Sequence, residues 1–359
     1  MEEKIDTTLT YYSDLSYFFG PDADSIQINR IQYPDRSVVE RCAMQDVKVF
    51  GYHEGWRGVI EQDGHWMDTA EVESIQGLGG TILRTSRTNV MKMENGPALV
   101  RRSMESLGLE CIVAIGGDDT LGVANQLVEL GLPMIGVPKT IDNDLNCTDY
   151  TFGFDTAANM AMRAMDDLCT TASSHSRVMV VEIMGRNTGW IAVQSAIAAN
   201  VNVCVIPEFP LSLEEICRRV KKRYDEGKHY SIVALAEATR IKGLDEDLER
   251  LEKDSFGNYK YPERNIGQRL AEAIEEKTGL ETRHIVLGHL QRSGAPTLFD
   301  RVLGTRLGVK AADLAMAHDY GKMVGLAGTT VVAVSLKEAV NMRKEVDAEL
   351  YEIAEMCCR

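Results

Sequence analysis

The chain has 359 residues, 44% of them apolar, and a formal net charge of −15 at pH 7. That length suits two α/β domains, each burying its own sheet, and excludes a single small module. The acidic balance excludes a surface built for nucleic acid or an anionic membrane, so any phosphate ligand must meet a local basic cluster. The eight cysteines run from Cys42 to Cys358 with no CxxC pair and no histidine at metal-ligand spacing, so no zinc site is expected. Neither a secretory leader nor an apolar run of membrane-spanning length is present, and the expected location is cytoplasmic.

From about residue 109 onward, short Val- and Ile-rich runs alternate with segments of helical period, the pattern of a mainly parallel α/β sheet. In such sheets ligands sit at the carboxyl ends of the strands. The first predicted strand, Cys111 to Ile115, runs into Gly116-Gly117-Asp118-Asp119-Thr120 and a helix over Leu121 to Leu130. Two glycines let the backbone approach a phosphate near a helix N-terminus, and Asp118 is a candidate for Mg2+; a tight turn with an Asp or Thr N-cap is the plain alternative. A second strand, Pro133 to Val137, leads to Pro138-Lys139-Thr140-Ile141-Asp142-Asn143-Asp144. Carboxylates two residues apart in an extended loop point the same way, so one can take a proton from a sugar hydroxyl while the other organises the base or a metal; the alternative is an Asx-turn loop.

A helix over Thr156 to Thr170 precedes Ser174-His175-Ser176-Arg177, and the strand Val178 to Ile183 is followed by Met184-Gly185-Arg186-Asn187-Thr188-Gly189-Trp190. Arginines flanking one strand point to an anion, against the usual reading of a surface ion pair. Helices over Gly189 to Asn200 and Leu213 to Glu226 alternate with strands over Val201 to Ile206 and Ser231 to Ala236, and residues 242–264 read as a solvated, charged excursion. After a helix over Asn265 to Lys277, Arg283 precedes a strand over His284 to Leu287, and His289 and Arg292 follow it, a set suited to a sugar phosphate. A helix over Arg301 to His318 and a strand over Thr329 to Val334 complete the pattern.

In this order, GGDDT, PKTIDND, SHSR, EIMGRNTGW and GHLQRSGAPTLFDR make the chain resemble the 6-phosphofructokinase family, pyrophosphate-dependent type, over roughly Val47 to Val334. The resemblance implies two similar three-layer α/β/α, Rossmann-like domains facing across a cleft. Residues 1–153 with about 292–341 would hold the phosphoryl donor, and 154–291 with about 342–359 the sugar phosphate. It implies transfer from pyrophosphate to the 1-hydroxyl of fructose 6-phosphate, with Asp142 as general base, Thr140 and Asp144 beside it, and Arg186 on the transferring group. Gly117, Asp119, Lys139 and Arg87 would meet the donor, and Asp118 would hold Mg2+. Met184, Gly185, Glu208, His289 and Arg292 would hold the sugar phosphate. Arg177 and Arg283 would arrive from a neighbouring subunit, which implies a homo-oligomer, dimer or tetramer. Asp119 and Lys139 stand where ATP-using relatives usually carry glycine, and a carboxylate at 119 repels the α-phosphate of a nucleotide.

The family's opening strand and Gly-Gly-Asp-x-Pro-Gly-x-Asn loop have no counterpart here; Ile26 to Ile31, residues 32–37 and a short Val38 to Met44 segment stand in their place. Too few residues separate Ile31 from Val47 for the loop and a full crossover helix. Each backbone donor lost from a phosphate site costs roughly 3 kcal/mol of transition-state stabilisation. Two alternatives therefore stand beside the pyrophosphate enzyme: an ATP-dependent 6-phosphofructokinase, and a non-catalytic, fructose-phosphate-binding regulatory paralogue.

Overall fold

The computed structural model describes residues 33–73, 75, 77–244, 252, 253, 256, 259 and 261–358; Ile26 to Ile31 and Gln32 lie outside them. Helix α1 (Tyr33–Ala43) leads into β1 (Val49–Tyr52), α2 (Trp56–Glu61) and β2 (Gly64–Met67), then α3 (Thr69–Glu73) and α4 (Gly96–Leu107). Next come β3 (Ile112–Gly116), α5 (Asp118–Glu129), β4 (Met134–Thr140) and the short β5 (Phe152–Gly153). The middle of the chain forms α6 (Phe154–His175), β6 (Val178–Ile183), α7 (Trp190–Ala198), β7 (Val203–Val205), α8 (Leu213–Asp225), β8 (Ser231–Ala236), α9 (Ile266–Thr278) and β9 (Thr282–Val286). The last elements are α10 (Leu298–Met316), β10 (Lys322–Ala327), β11 (Thr330–Ser335), α11 (Leu336–Asn341) and α12 (Ala348–Cys357).

Two sheets result. The first runs β11-β10-β4-β3 with β5 beside β4, and the second runs β7-β8-β6-β9, parallel throughout. Each is buried on both faces, which is why its central strands read as unbroken apolar runs. In β6 the alternation is plain: Val178 and Val180 pack with Ile216, Val220 and Leu270 of α8 and α9, while Met179, Val181 and Ile183 pack with Ala161, Met165 and Ile191 of α6 and α7. In the first sheet Ala114 and Met134 face Leu121 and Leu127 of α5, and Ile135 and Val137 face Leu303 and Leu307 of α10. Both units are therefore three-layer α/β/α sandwiches of Rossmann-like type. The chain passes to the second sheet at α6, returns with α10, and leaves again with α12, which packs Tyr351 and Ala354 against the second core.

The crossing between α6 and α10 is held by reciprocal capping. Buried Asp300 accepts the backbone N–H groups of Gly153 and Thr156, both at 2.8 Å, and the Thr156 hydroxyl at 2.5 Å. Thr297, the N-cap of α10, donates its hydroxyl to Asp155 at 2.5 Å. Replacing Asp300 by Ala strands three buried donors, so a loss of about 2–3 kcal/mol is expected, read as a lower urea midpoint at unchanged slope. A midpoint within error of the parent would show that the cap contributes nothing.

Three features depart from the sequence reading. The short segment expected over Val38 to Met44 belongs to a longer helix of 11 residues, α1, with Val38 and Cys42 against Ala312 of α10 and Arg41 bonded to Asp313 at 2.7 Å. Strand β10, adjoining β4, has no counterpart among the predicted strands, because Gly325 interrupts its apolar run; Thr148 lies where a Cβ there would point. The excursion over residues 242–264 is not wholly solvated, since Tyr261 and Arg264 are buried and Arg264 donates to the carbonyls of Glu237 and Thr239 at 2.9 and 2.6 Å. Among the described strands β1 pairs with β2 alone, and a cavity of about 1010 Å³ separates this hairpin from the edge of β3, lined by Phe50, Tyr52, Ile112 and Ala114 and closed on one side by Val38 and Cys42 of α1.

Candidate active site

The carboxyl ends of β3, β4, β6 and β8 turn toward one another, and the motif residues follow each strand. After β3, Gly117 is the N-cap of α5, and Asp118 and Asp119 fill its first turn. Gly116 cannot carry a side chain, because a Cβ would lie 2.4 Å from that of Thr120. After β4, the Thr140 hydroxyl donates to Asp142 Oδ2 at 3.0 Å, and the Asp142 backbone N–H donates to Thr140 Oγ1 at 3.1 Å. Asn143 takes a left-handed φ of 54°, and its Oδ1 accepts the Thr151 N–H at 3.0 Å, a bond that spans eight residues and is not the local Asx-turn of the plain alternative. Asp144 is different: its Oδ1 is buried with no hydrogen-bond partner. Burial first, then the charges of Asp142 and Asp118, push its carboxyl well above the ordinary range.

After β6, Gly185 and Arg186 turn their N–H groups onto Glu237 Oε1 at 3.2 and 2.8 Å. Arg186 has φ of 57° and reaches back across the cleft to Asp119 Oδ2 at 2.5 Å, joining the second unit to the first. Burial works against its charge, but Asp119, Asp142 and Asp144 outweigh burial and hold the guanidinium firmly protonated. Arg292 lies in the same field, with an Nε that has no partner; burial lowers its pKa while Asp142 and Glu237 oppose that. A guanidinium nitrogen and a carboxylate oxygen left unsatisfied in one cleft are groups that a ligand completes.

Glu237 escaped the sequence reading. The available signal was its place directly after the apolar strand Ser231–Ala236. Burial pushes its carboxyl up to about 7, with the Arg186 and Gly185 N–H groups opposing. Glu237→Gln keeps the shape and acceptor oxygen but removes this titration. If the ionised carboxylate is what secures the Arg186 turn, the variant should lose about tenfold in kcat above pH 7 and much less below it. A pH-independent ratio would exclude that role.

Other expected residues lie elsewhere. Lys139 is buried at the end of β4 beside buried Asp35 of α1; burial lowers Lys139 to about 8 and raises Asp35 to about 6, each opposed by the other's charge. Glu208 accepts the Gly189 N–H with both oxygens at 3.0 Å, capping α7. Arg87 is half-buried in a loop tied by Ser86 Oγ to the Glu54 carbonyl at 2.6 Å, and Arg84 there has φ of 61°, the glycine-like conformation. His289 is exposed on the turn after β9, three residues past Val286, while Met184 packs against the second core. Arg177 and Arg283 share Glu281, at 2.8 and 2.6 Å, at the amino end of β6 and β9, the opposite edge of the sheet from Asp142.

No group of three or more His, Cys, Asp or Glu side chains among the described residues is arranged to hold a metal ion. Mg2+ needs no such cage, since it takes one or two carboxylates and fills its octahedron with water and substrate phosphate. Asp118 fits: its carboxyl is raised by burial and then by Asp119, so a cation beside it relieves both.

Carboxylates and guanidinium groups converge on a cleft between two α/β sandwiches, an arrangement suited to an anionic, phosphorylated ligand. The phosphofructokinase family profile matches residues 34–315. The pyrophosphate–fructose 6-phosphate 1-phosphotransferase of Amycolatopsis methanolica is 46% identical over 309 residues, 86% of this chain and 90% of that protein. An ATP-dependent 6-phosphofructokinase of Streptomyces coelicolor is 43% identical over 321 residues, 89% of this chain and 94% of that protein. Phosphofructokinase from Saccharomyces cerevisiae superposes with a TM-score of 0.74 at 25% identity over 93% of this chain, which spans 44% of the yeast chain. The chain belongs to the phosphofructokinase family and is an enzyme, a phosphotransferase; the non-catalytic alternative is not favoured. No helix among the described residues is long and apolar enough to cross a membrane.

Proposed function

We propose that this enzyme transfers a phosphoryl group from pyrophosphate to the 1-hydroxyl of fructose 6-phosphate, reversibly, with Asp142 as general base. The observation that carries the donor assignment is the Asp119 carboxylate in the first turn of α5, held by Arg186 at 2.5 Å. A nucleotide's α-phosphate and ribose would have to pass that carboxylate, whereas pyrophosphate ends before it. The hydroxyl oxygen attacks the terminal phosphorus as Asp142 takes its proton, and the bond to the leaving phosphate breaks. Thr140 holds the Asp142 carboxylate in place. Arg186 stabilises the charge that develops, the largest part of catalysis in phosphoryl transfer, while Arg292 holds the sugar phosphate. Asp118, with the donor's own oxygens, would hold Mg2+, which supplies charge neutralisation on the phosphates.

Gly117, Arg87 and, through its charge, Lys139 belong to the donor side, formed by residues 1–153 and about 292–341. Met184, Gly185, Glu208 and His289 belong to the sugar-phosphate side, formed by residues 154–291 and about 342–359. The placement of Arg177 and Arg283 at the far edge of the second sheet supports their donation to a neighbouring subunit in a dimer or tetramer. Light scattering then gives at least a dimer; a monomer with full activity would remove these two residues from the site. The direct test is fructose 1,6-bisphosphate formation with pyrophosphate against ATP. The 43%-identical relative named for ATP makes ATP the competing donor, and a higher kcat/KM with ATP would overturn the assignment.

A further inference from the structure

Between α11 and α12 the chain crosses the cleft as a strap, residues 342–346, that touches the catalytic loop on one side and the second unit on the other. Arg343 forms a single antiparallel bridge with Leu145, and the Lys344 N–H donates to the Asp144 carbonyl at 2.8 Å. The Lys344 ammonium donates to the carbonyls of Thr148 and Asp149, each at 2.8 Å, closing the far end of the same loop. In the other direction the Trp190 indole N–H donates to the Lys344 carbonyl at 2.9 Å, and the ammonium sits 5.0 Å from the Trp190 ring. Two residues on, the Val346 N–H donates to Glu208 Oε1 at 3.2 Å, the carboxylate that caps α7. One lysine therefore fastens both ends of the loop carrying Asp142 and Asp144 and anchors it to the start of α7.

We propose that Lys344 is a positioning residue for phosphoryl transfer, locking the loop over residues 142–149 against Trp190 so that Asp142 stands in register with the second unit. The proposal rests on this chain's being a working phosphofructokinase but not on which donor it uses. The hydrogen bonds that the Lys344 N–H and ammonium donate go to the backbone carbonyls of Asp144, Thr148 and Asp149.

The test is steady-state kinetics of Lys344→Met with pyrophosphate and with ATP, together with hydrogen exchange read by mass spectrometry. The expected result is a kcat about 10²-fold lower with KM for fructose 6-phosphate within about threefold, the signature of lost alignment rather than lost binding. Lys344→Arg, which can donate to both carbonyls, should recover most of that loss. Exchange should quicken in peptides covering residues 140–151 and 342–348 and stay unchanged in β6 and β8. A kcat within about twofold of the parent, or exchange that rises equally through the second sheet, would overturn the proposal. Should Lys344→Met fail to fold, Trp190→Phe removes the indole donor and keeps the ring; about a tenfold fall in kcat is expected, and an unchanged kcat overturns the idea. If the parent enzyme turns over neither donor, the proposed function falls, and the exchange pattern alone decides the strap.

Discussion

Asp142→Asn is expected to lower kcat about 10³-fold while leaving KM for fructose 6-phosphate nearly unchanged. Asparagine fills the same space and can still accept the Thr140 hydroxyl, so the loop keeps its shape. What it loses is the capacity to take a proton. The neighbouring carboxyl cannot substitute: Asp144 is the member of the pair that burial and the charges of Asp142 and Asp118 push toward the protonated form. Product formation measured in both directions decides the matter, because a base for the forward reaction is the acid for the reverse, and both rates should fall together. A loss below tenfold would mean that another group takes the proton, and a loss confined to one direction would place Asp142 outside proton transfer.

Asp119→Gly is expected to reduce the preference for pyrophosphate over ATP, as the ratio of kcat/KM values, by about 10²-fold. Two effects add. The carboxylate that repels a nucleotide's inner phosphate is gone, and Arg186, freed from its 2.5 Å partner, becomes available to the longer polyphosphate. Lys139 should not be changed in the same step. Its ammonium lies buried beside buried Asp35, so Lys139→Gly leaves that carboxyl without its compensating charge, at a cost of about 3 kcal/mol. The double replacement Asp35→Asn, Lys139→Met should be far milder. Competition between the two donors in one tube, read by phosphorus NMR, gives the ratio directly; a ratio unmoved by Asp119→Gly would remove this residue as the determinant.

The legible parts of this chain were those where local pattern and burial agree. Strands β4, β6 and β8 are covered on both faces, so their apolar runs needed no context, and the residues directly after them held most of the candidate site. Loop chemistry is half legible: Asn143 and Asp144 are adjacent and both polar, yet Asn143 accepts the Thr151 N–H eight residues on while Asp144 Oδ1 is buried without a partner. The charge partner of Lys139, Asp35, comes from a helix more than a hundred residues earlier, and the bond from Gly189 to Glu208 depends on Gly189 having no Cβ, which would meet Ile206 at 2.5 Å. Tertiary pairing of this kind leaves no periodic trace.

The interleaving of the two sheets carries a consequence for how the protein is born. Strands β10 and β11 complete the first sheet, and α12 seals the second core, yet all three follow residue 321. A ribosome delivers these segments after everything else in the two units. Neither unit can therefore close before the other is nearly made, and the usual order, in which an N-terminal domain is finished before its successor emerges, is denied to this topology. A message cut short between α10 and β10 yields two incomplete cores rather than one finished and one missing.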